Sequence, residues 1–288
     1  MKFSIITPTY NRADLIERAI KSMLVQTHSN FEMIIIDDSS NDDTTAVVSN
    51  FLHDSRIKLI RCEINGGVNI ARNIGLECIS EDSEAVTFLD SDDEFEIDAL
   101  ENMKIVMDPH PDINYFRFAV RHESGISASD LRHSNIKADF NYYIKNLFDI
   151  GEWVCTFRRN IIERGFAYSV DVKAFEIISY IDLSRKETVF FSKKFVRKYY
   201  TGHESISNEK LSNEKLSNTI KGYEIMLSEN KDIKSISPKI FAILNYTLAN
   251  LYILDNNKIK GLNLTLKSFI ISPIDLRVFR NLFNIILK

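Results

Sequence analysis

Ala85-Val86-Thr87-Phe88-Leu89-Asp90-Ser91-Asp92-Asp93 reads as a buried strand that delivers three carboxylates within four residues to its carboxyl end. Carboxylates crowded this closely repel one another unless a cation or strong donors compensate them. Hard divalent cations such as Mg²⁺ or Mn²⁺ take oxygen ligands and are often shared with substrate phosphates. Taken alone, the tetrapeptide fits two readings equally. One is a metal held beside a phosphorylated substrate; the other is a solvated turn that starts a helix near Glu96, since Asp and Ser are good N-caps.

The preceding eighty residues alternate apolar runs with amphipathic stretches. Phe3 to Ile6, Phe31 to Ile36 and Ile57 to Ile60 read as strands. Ala13 to Val25, Asp42 to Leu52 and Val68 to Ile79 read as helices, the first with Leu15, Ile16, Ala19, Ile20, Met23 and Leu24 on one face. Apolar strands alternating with helices predict an α/β fold with a mostly parallel sheet covered on both faces. Ligands bind such sheets at the carboxyl ends of the strands. Those ends carry Thr7-Pro8-Thr9-Tyr10-Asn11-Arg12, Asp37-Asp38-Ser39-Ser40 and the Asp90–Asp93 cluster. Asn65-Gly66-Gly67 and Ala71-Arg72-Asn73 are expected near the same rim.

These blocks also carry a resemblance. Ser4 to Arg12, Ile35 to Asp42, Gly66-Gly67 with Ala71 to Gly75, and Phe88 to Asp93 resemble, in order and spacing, glycosyltransferase family 2. The likeness is dense over the first hundred residues and thins toward residue 207. It implies the GT-A fold and an inverting transfer from a nucleotide sugar, with a UDP-sugar favoured, in bacterial cell-surface polysaccharide synthesis. By the same resemblance Thr7, Pro8 and Tyr10 belong to the donor site, where Pro8 and Tyr10 would wall the nucleobase and Asp38 would accept a hydrogen bond from it. Arg72 would face the pyrophosphate, Asp90 the ribose, and Asp92, helped by Asp93, the Mn²⁺ or Mg²⁺ that bridges the phosphates. Each has a plainer alternative: Tyr10 as a packed aromatic, one of Asp37 and Asp38 as a helix cap, Gly66-Gly67 as a turn, Arg72 as a surface ion pair.

Displacement at an anomeric carbon by an acceptor hydroxyl needs a general base within hydrogen-bond reach. Members of the resembled family place a Glu-Asp pair at the start of a helix here, the Asp serving as base. In Asp171-Val172-Lys173-Ala174-Phe175-Glu176-Ile177 the Glu aligns with Glu176, and Ile177 stands where the Asp would be. Ile cannot take a proton, so Glu176 is the first candidate, with Asp171 and Asp182 as alternatives. Thr201-Gly202-His203-Glu204-Ser205-Ile206-Ser207 resembles the family again, and implies that His203 closes over the diphosphate or metal. Imidazole suits a transition metal, which would favour Mn²⁺. Trp153 reads as a core residue or as an aromatic platform on the acceptor side.

With 288 residues, 44% of them hydrophobic, the chain can form one substantial domain and an appendage. Net charge is −4 and no basic run is interleaved with aromatics, which argues against nucleic-acid binding. Cys62, Cys78 and Cys155 lack metal-site spacing and read as reduced buried thiols. The expected setting is cytoplasmic, with neither a signal peptide nor a membrane span. Ser207-Asn208-Glu209-Lys210-Leu211, repeated as Ser212 to Leu216, reads as a polar linker or solvated helix. It divides a catalytic domain of residues 1–206 from a helical region of residues 207–288. Ser237-Pro238 and Ser272-Pro273 read as helix starts. In the last helix, Ile274 to Leu287, Val278, Phe279, Leu282, Phe283 and Ile286 oppose Arg277, Arg280, Asn281 and Asn284. Its apolar side would dock on protein, or rest on a membrane as suits an enzyme with a saccharide or lipid-linked saccharide acceptor. Two other functions stay open: a catalytically impaired nucleotide-sugar-binding or scaffolding protein, supported by Ile177, and a nucleotidyltransferase, which would carry a Gly-rich phosphate loop where Thr7 to Tyr10 stand.

Overall fold

The computed structural model describes residues 1–201, 212–273, 277 and 281. Strand β1 (Phe3–Thr9), helix α1 (Ile16–Leu24), β2 (Phe31–Asp37), α2 (Thr44–Ser49), β3 (Ile57–Arg61), α3 (Val68–Glu77) and β4 (Ala85–Phe88) follow the expected alternation. The sheet region continues with β5 (Glu94–Phe95), α4 (Ala99–Met107), β6 (Tyr115–His122), β7 (Ile136–Ala138), α5 (Phe140–Lys145), β8 (Trp153–Arg158), α6 (Arg159–Glu163), α7 (Ile177–Lys186) and β9 (Val189–Tyr199). The helices α8 (Asn213–Glu229), α9 (Ile233–Ile236), α10 (Pro238–Leu254) and α11 (Lys258–Ile271) make up the C-terminal part.

The strands form one mixed sheet in the order β3-β2-β1-β4-β8-β6-β9-β5, with β7 added alongside β9. β1 to β4 are mutually parallel. β8 runs antiparallel to both β4 and β6, so β6 points the same way as β4, and β9 runs parallel to β6. The carboxyl ends of β1, β2, β4, β6 and β9 therefore share one rim. β1 and β2 are buried at every position, including Ser4, Thr7, Thr9 and Glu32, because helices cover both faces.

One face of the sheet shares its core with the C-terminal helices. Phe157, Phe191 and Trp153 of the strands belong to the same buried cluster as Met226, Ile240 and Leu244 of α8 and α10. Trp153 is a core residue: its indole N–H donates to the Ile150 carbonyl at 2.6 Å, and its ring meets Phe191 edge-on at 5.0 Å. Arg117 of β6 is buried in this core without a carboxylate partner among the described residues. It donates to the hydroxyls of Tyr115 and Tyr143, each at 2.8 Å. The Tyr115, Tyr143 and Tyr180 rings lie 5.6, 5.0 and 5.1 Å from its guanidinium. Aromatic faces and phenol oxygens thus replace water around this cation.

Several local expectations are refined. Ser237 caps α10, accepting from the Ile240 amide at 3.4 Å, with Pro238 at the first helical position. Of the two readings of the repeat, helix holds for its second unit: Ser212 caps α8, though Leu216 is buried and not solvated. The first unit, and with it the 206/207 division, lies outside the described residues. Ser272 ends α11; beyond Pro273 only Arg277 and Asn281 are described. Asn281, expected on the outer polar side, is buried and donates to the Tyr246 carbonyl at 2.9 Å. Cys155 is buried, while Cys62 and Cys78 are half-buried; all three are free thiols.

Candidate active site

The rim assembles because each parallel strand ends at the same edge. Beyond β1, Asn11 adopts a left-handed turn with φ 51°, fixed by its amide donating to Ser40 Oγ at 2.9 Å. Tyr10 stands at the rim with 42% of its surface exposed, so it is not a packed core aromatic; Pro8 is buried within β1. At the end of β2 the two aspartates divide the work. Asp37 accepts from the Ser40 amide at 2.9 Å and the Thr45 hydroxyl at 2.6 Å, anchoring the start of α2. Asp38 accepts from the Gly66 and Gly67 amides at 2.8 and 2.7 Å. It therefore holds the glycine loop, and a nucleobase could use only its remaining lone pairs.

None of the carboxylates after β4 caps a helix, since β5 follows at Glu94 and α4 begins only at Ala99. Asp90 lies between two buried arginines. Arg72 Nη2 donates to it at 3.2 Å and Arg197 Nη1 at 2.8 Å. Burial disfavours its charge, but Arg197 and Arg72 outweigh that and hold its carboxyl below the usual range. Asp93, 1% exposed, accepts from the Tyr200 amide at 3.1 Å. Its pKa is pushed up to about 7, chiefly by burial against the pull of Arg197, with Asp90 and Asp92 adding to the rise. Asp92 is half-buried. Its backbone carbonyl accepts from Arg18, whose guanidinium stacks 3.6 Å above the Tyr200 ring.

Among the described residues eight buried side-chain polar atoms lack a hydrogen-bond partner, and six belong to this rim: Thr7 Oγ1, Thr9 Oγ1, Arg18 Nε, Arg72 Nε, Asp93 Oδ2 and Arg197 Nε. Such orphans are rare in native proteins and need a cause. Two of the six, Arg197 Nε and Asp93 Oδ2, face each other as an ion pair 3.4 Å apart; the other four gather beside them at the same sheet edge, an arrangement that suits a polar ligand.

Arg72 does not point freely toward a pyrophosphate. Its guanidinium bridges Asp90 and Glu176, pairing with Glu176 through Nη1. Glu176 thus joins the cluster, at the start of α7. Asp171 does not: its side chain is 68% exposed and lies 3.8 Å from Lys221. Asp182 is exposed further along α7. Ile177 packs against the core. His203 lies outside the described residues. Arg18 and Arg197 were not expected here. A charge in an amphipathic helix reads as solvated, and Arg197 precedes the Thr201–Ser207 block without a motif of its own. Its place was legible only once β9 was known to end at this rim.

Hard carboxylate oxygens at Asp92 and Asp93 suit a divalent cation, which would share Asp93 Oδ2 with Arg197 Nε, 3.4 Å away. Among the described residues no group of three His, Cys, Asp or Glu side chains is gathered around a metal position. Among the described residues the protein's share of a cation shell would be these two.

Residues 4–166 match the description of glycosyl transferase family 2, and the chain belongs to that family. TuaG of Bacillus subtilis (strain 168), a glycosyltransferase provisionally assigned to teichuronic acid biosynthesis, is 33% identical over 145 residues, covering 50% of this chain and 57% of TuaG. The GalNAc(5)-diNAcBac-PP-undecaprenol beta-1,3-glucosyltransferase of Campylobacter jejuni is 44% identical over 104 residues, 35% of this chain and 33% of that protein. The match thus spans little more than half the length of the first relative and a third of the second. Staphylococcus aureus TarS 1-349, crystallised with UDP-GlcNAc, superposes with a TM-score of 0.69 at 19% identity, covering 98% of this chain and 84% of TarS. The architecture is the GT-A fold.

Proposed function

We propose that this protein is an inverting glycosyltransferase that moves a sugar from a nucleoside diphosphate, a UDP-sugar by preference, to an acceptor hydroxyl. The acceptor is a saccharide or lipid-linked saccharide of bacterial cell-surface polysaccharide synthesis, and the reaction takes place in the cytoplasm. Residues 1–206 are the catalytic unit and residues 207–288 its helical extension. The observation that carries this reading is the gathering of unpartnered buried polar atoms of Thr7, Thr9, Arg18 and Arg72 beside the Arg197–Asp93 ion pair at one sheet edge. Among the described residues no helix is long and apolar enough to cross a membrane.

In this reading Tyr10 and Pro8 flank the nucleobase, Asp38 accepts from it, and Thr7 lies beneath. Asp90 orients the ribose, while Arg18, Arg72 and Arg197 supply positive charge to the diphosphate. Asp92, with Asp93, would hold Mn²⁺ or Mg²⁺, and His203 would join them. When bound, that cation would neutralise charge developing on the departing diphosphate. The acceptor oxygen forms its bond to the anomeric carbon from the face opposite the leaving oxygen, and its proton passes to the Glu176 carboxylate. The carbon–oxygen bond to the diphosphate breaks with its electron pair, and a single displacement inverts the centre. Glu176 is favoured over Asp171 and Asp182 because Arg72 ties it to Asp90. A second reading, donor binding without transfer, draws on Ile177 and on the pairing of Glu176 with Arg72.

Calorimetric titration with UDP-, GDP- and TDP-sugars, with and without Mn²⁺, tests the proposal. Metal-dependent binding of one nucleotide class, lost in Asp92→Ala, is the expected result. Failure of every donor to bind would remove the enzyme assignment. Binding with no turnover on any acceptor, unchanged in Glu176→Gln, would favour the second reading.

A further inference from the structure

Helix α11 faces its neighbours the wrong way round for a core helix. The residues it buries are Gly261, Thr265 and Ser268. A Cβ on Gly261 would lie 2.6 Å from Ile253 Cγ1 and 2.9 Å from the Ala249 carbonyl oxygen, so the close approach to α10 depends on that glycine. Leu264 and Ile271 pack inward, but three other large apolar side chains are left outside: Ile259 is 77% exposed, Leu266 48% and Ile270 82%. At i, i+7 and i+11 they share one stripe of the helix. A lone exposed isoleucine is ordinary, but three large apolar side chains on one side, interrupted only by Asn263, mark an interaction surface.

A second feature adjoins the stripe. Helices α8, α10 and α11 enclose a cleft of about 610 Å³ whose apolar wall includes Leu227, Phe241, Leu248 and Leu264. Lys231, Lys234, Lys260 and Lys267 line the same cleft. None of the four is ion-paired among the described residues; the carboxylate on the wall, Glu224, accepts from the Tyr252 hydroxyl, and the Lys260 ammonium lies 4.9 Å from the Tyr252 ring centre. Helical spacing sets Lys260 and Lys267 between stripe and cleft.

Apolar side chains flanked by unpaired ammoniums match the boundary of an anionic bilayer, where the former enter the acyl edge and the latter reach phosphates. A second copy of this chain fits less well. Two-fold contact with the two α11 helices antiparallel would bring the lysine rows of both copies together, and like charges repel. We infer that the outer stripe of α11 and the lysine-lined cleft beside it form a docking surface for a membrane containing anionic phospholipid.

Flotation of the full chain with vesicles tests this directly, comparing phosphatidylglycerol–phosphatidylcholine mixtures with phosphatidylcholine alone. The protein should float only with the anionic vesicles, and less as salt rises and screens the lysines. Ile270→Asp should lower partitioning at least tenfold. Lys260→Ala combined with Lys267→Ala should lower it about 25-fold, at roughly fivefold per lysine. Lys193→Ala with Lys194→Ala, on exposed residues of β9, should change nothing. Ile270 is mostly solvent-exposed, so its variant should melt like the parent; if it did not, the lysine pair would carry the test. No flotation with anionic vesicles would overturn the inference. So would unchanged flotation of both α11 variants, which would put the contact elsewhere, or a concentration-dependent dimer that Ile270→Asp dissociates.

Discussion

Asp90 is a small residue with large obligations, because two guanidiniums that are each less than a tenth exposed depend on it. Removing its charge leaves Arg72 with Glu176 alone and Arg197 with Asp93 and the more distant Glu152. Breaking a fully buried pair costs roughly 3–5 kcal/mol. With 38% of the Asp90 side chain open to solvent, Asp90→Asn should cost less, about 2 kcal/mol by urea denaturation. A loss below about 0.5 kcal/mol would mean that the arginines find other partners. Glu32, at the opposite end of the sheet, makes a different prediction. Burial opposes its charge, but Lys58, Ser4 and Ser80 prevail and lower its pKa to about 2 from 4.5. A depressed carboxyl contributes stability that is complete above its unfolded value and lost as pH falls through its folded one. Between pH 4.5 and 2 the parent should therefore lose about 2 kcal/mol more than Glu32→Gln, a figure reduced for the solvent-screened Lys58. Parallel stability curves for the two proteins would exclude the effect.

Among the elements, the loop entering α3 is the most demanding. Gly67 has φ 88°, and a Cβ there would fall 2.8 Å from Lys173 Cβ and 2.9 Å from the Lys173 carbonyl oxygen. Gly67→Ala should destabilise by about 2 kcal/mol through strain and overlap, and weaken donor binding by displacing the amides that Asp38 holds. Unaltered affinity in a folded Gly67→Ala protein would separate this loop from the donor site. The first four strands and the three helices between them were legible because their periodicities differ so clearly. The later strands were not: β8, β6 and β9 are distant in sequence, and only their pairing decides which residues reach the rim. Hence the Asp90–Asp93 cluster could be read directly, whereas Arg197 needed the topology. Asp38 was singled out correctly as a rim residue, but its two bonds to the glycine loop come from a register between β2 and α3 that no local pattern encodes.

At the scale of the whole molecule, the core shared by sheet and C-terminal helices ties the parts together. Differential scanning calorimetry should show one cooperative transition, and a chain ending at residue 201 should aggregate as Phe157, Trp153 and their neighbours lose their cover. Two separated transitions would show the helical part to be independent. The shared core was hidden in the sequence, since an apolar face never names its partner. The same core holds the Arg117 cage, and with it an optical reporter. Burial raises the Tyr115 and Tyr143 pKa values above 10, despite the adjacent cation. These phenols hold their protons more firmly in the folded chain than in the open one, so above pH 10 folding grows weaker as pH rises. An alkaline titration followed in the ultraviolet should therefore show their phenolate bands emerging in one step, at the pH where circular dichroism collapses.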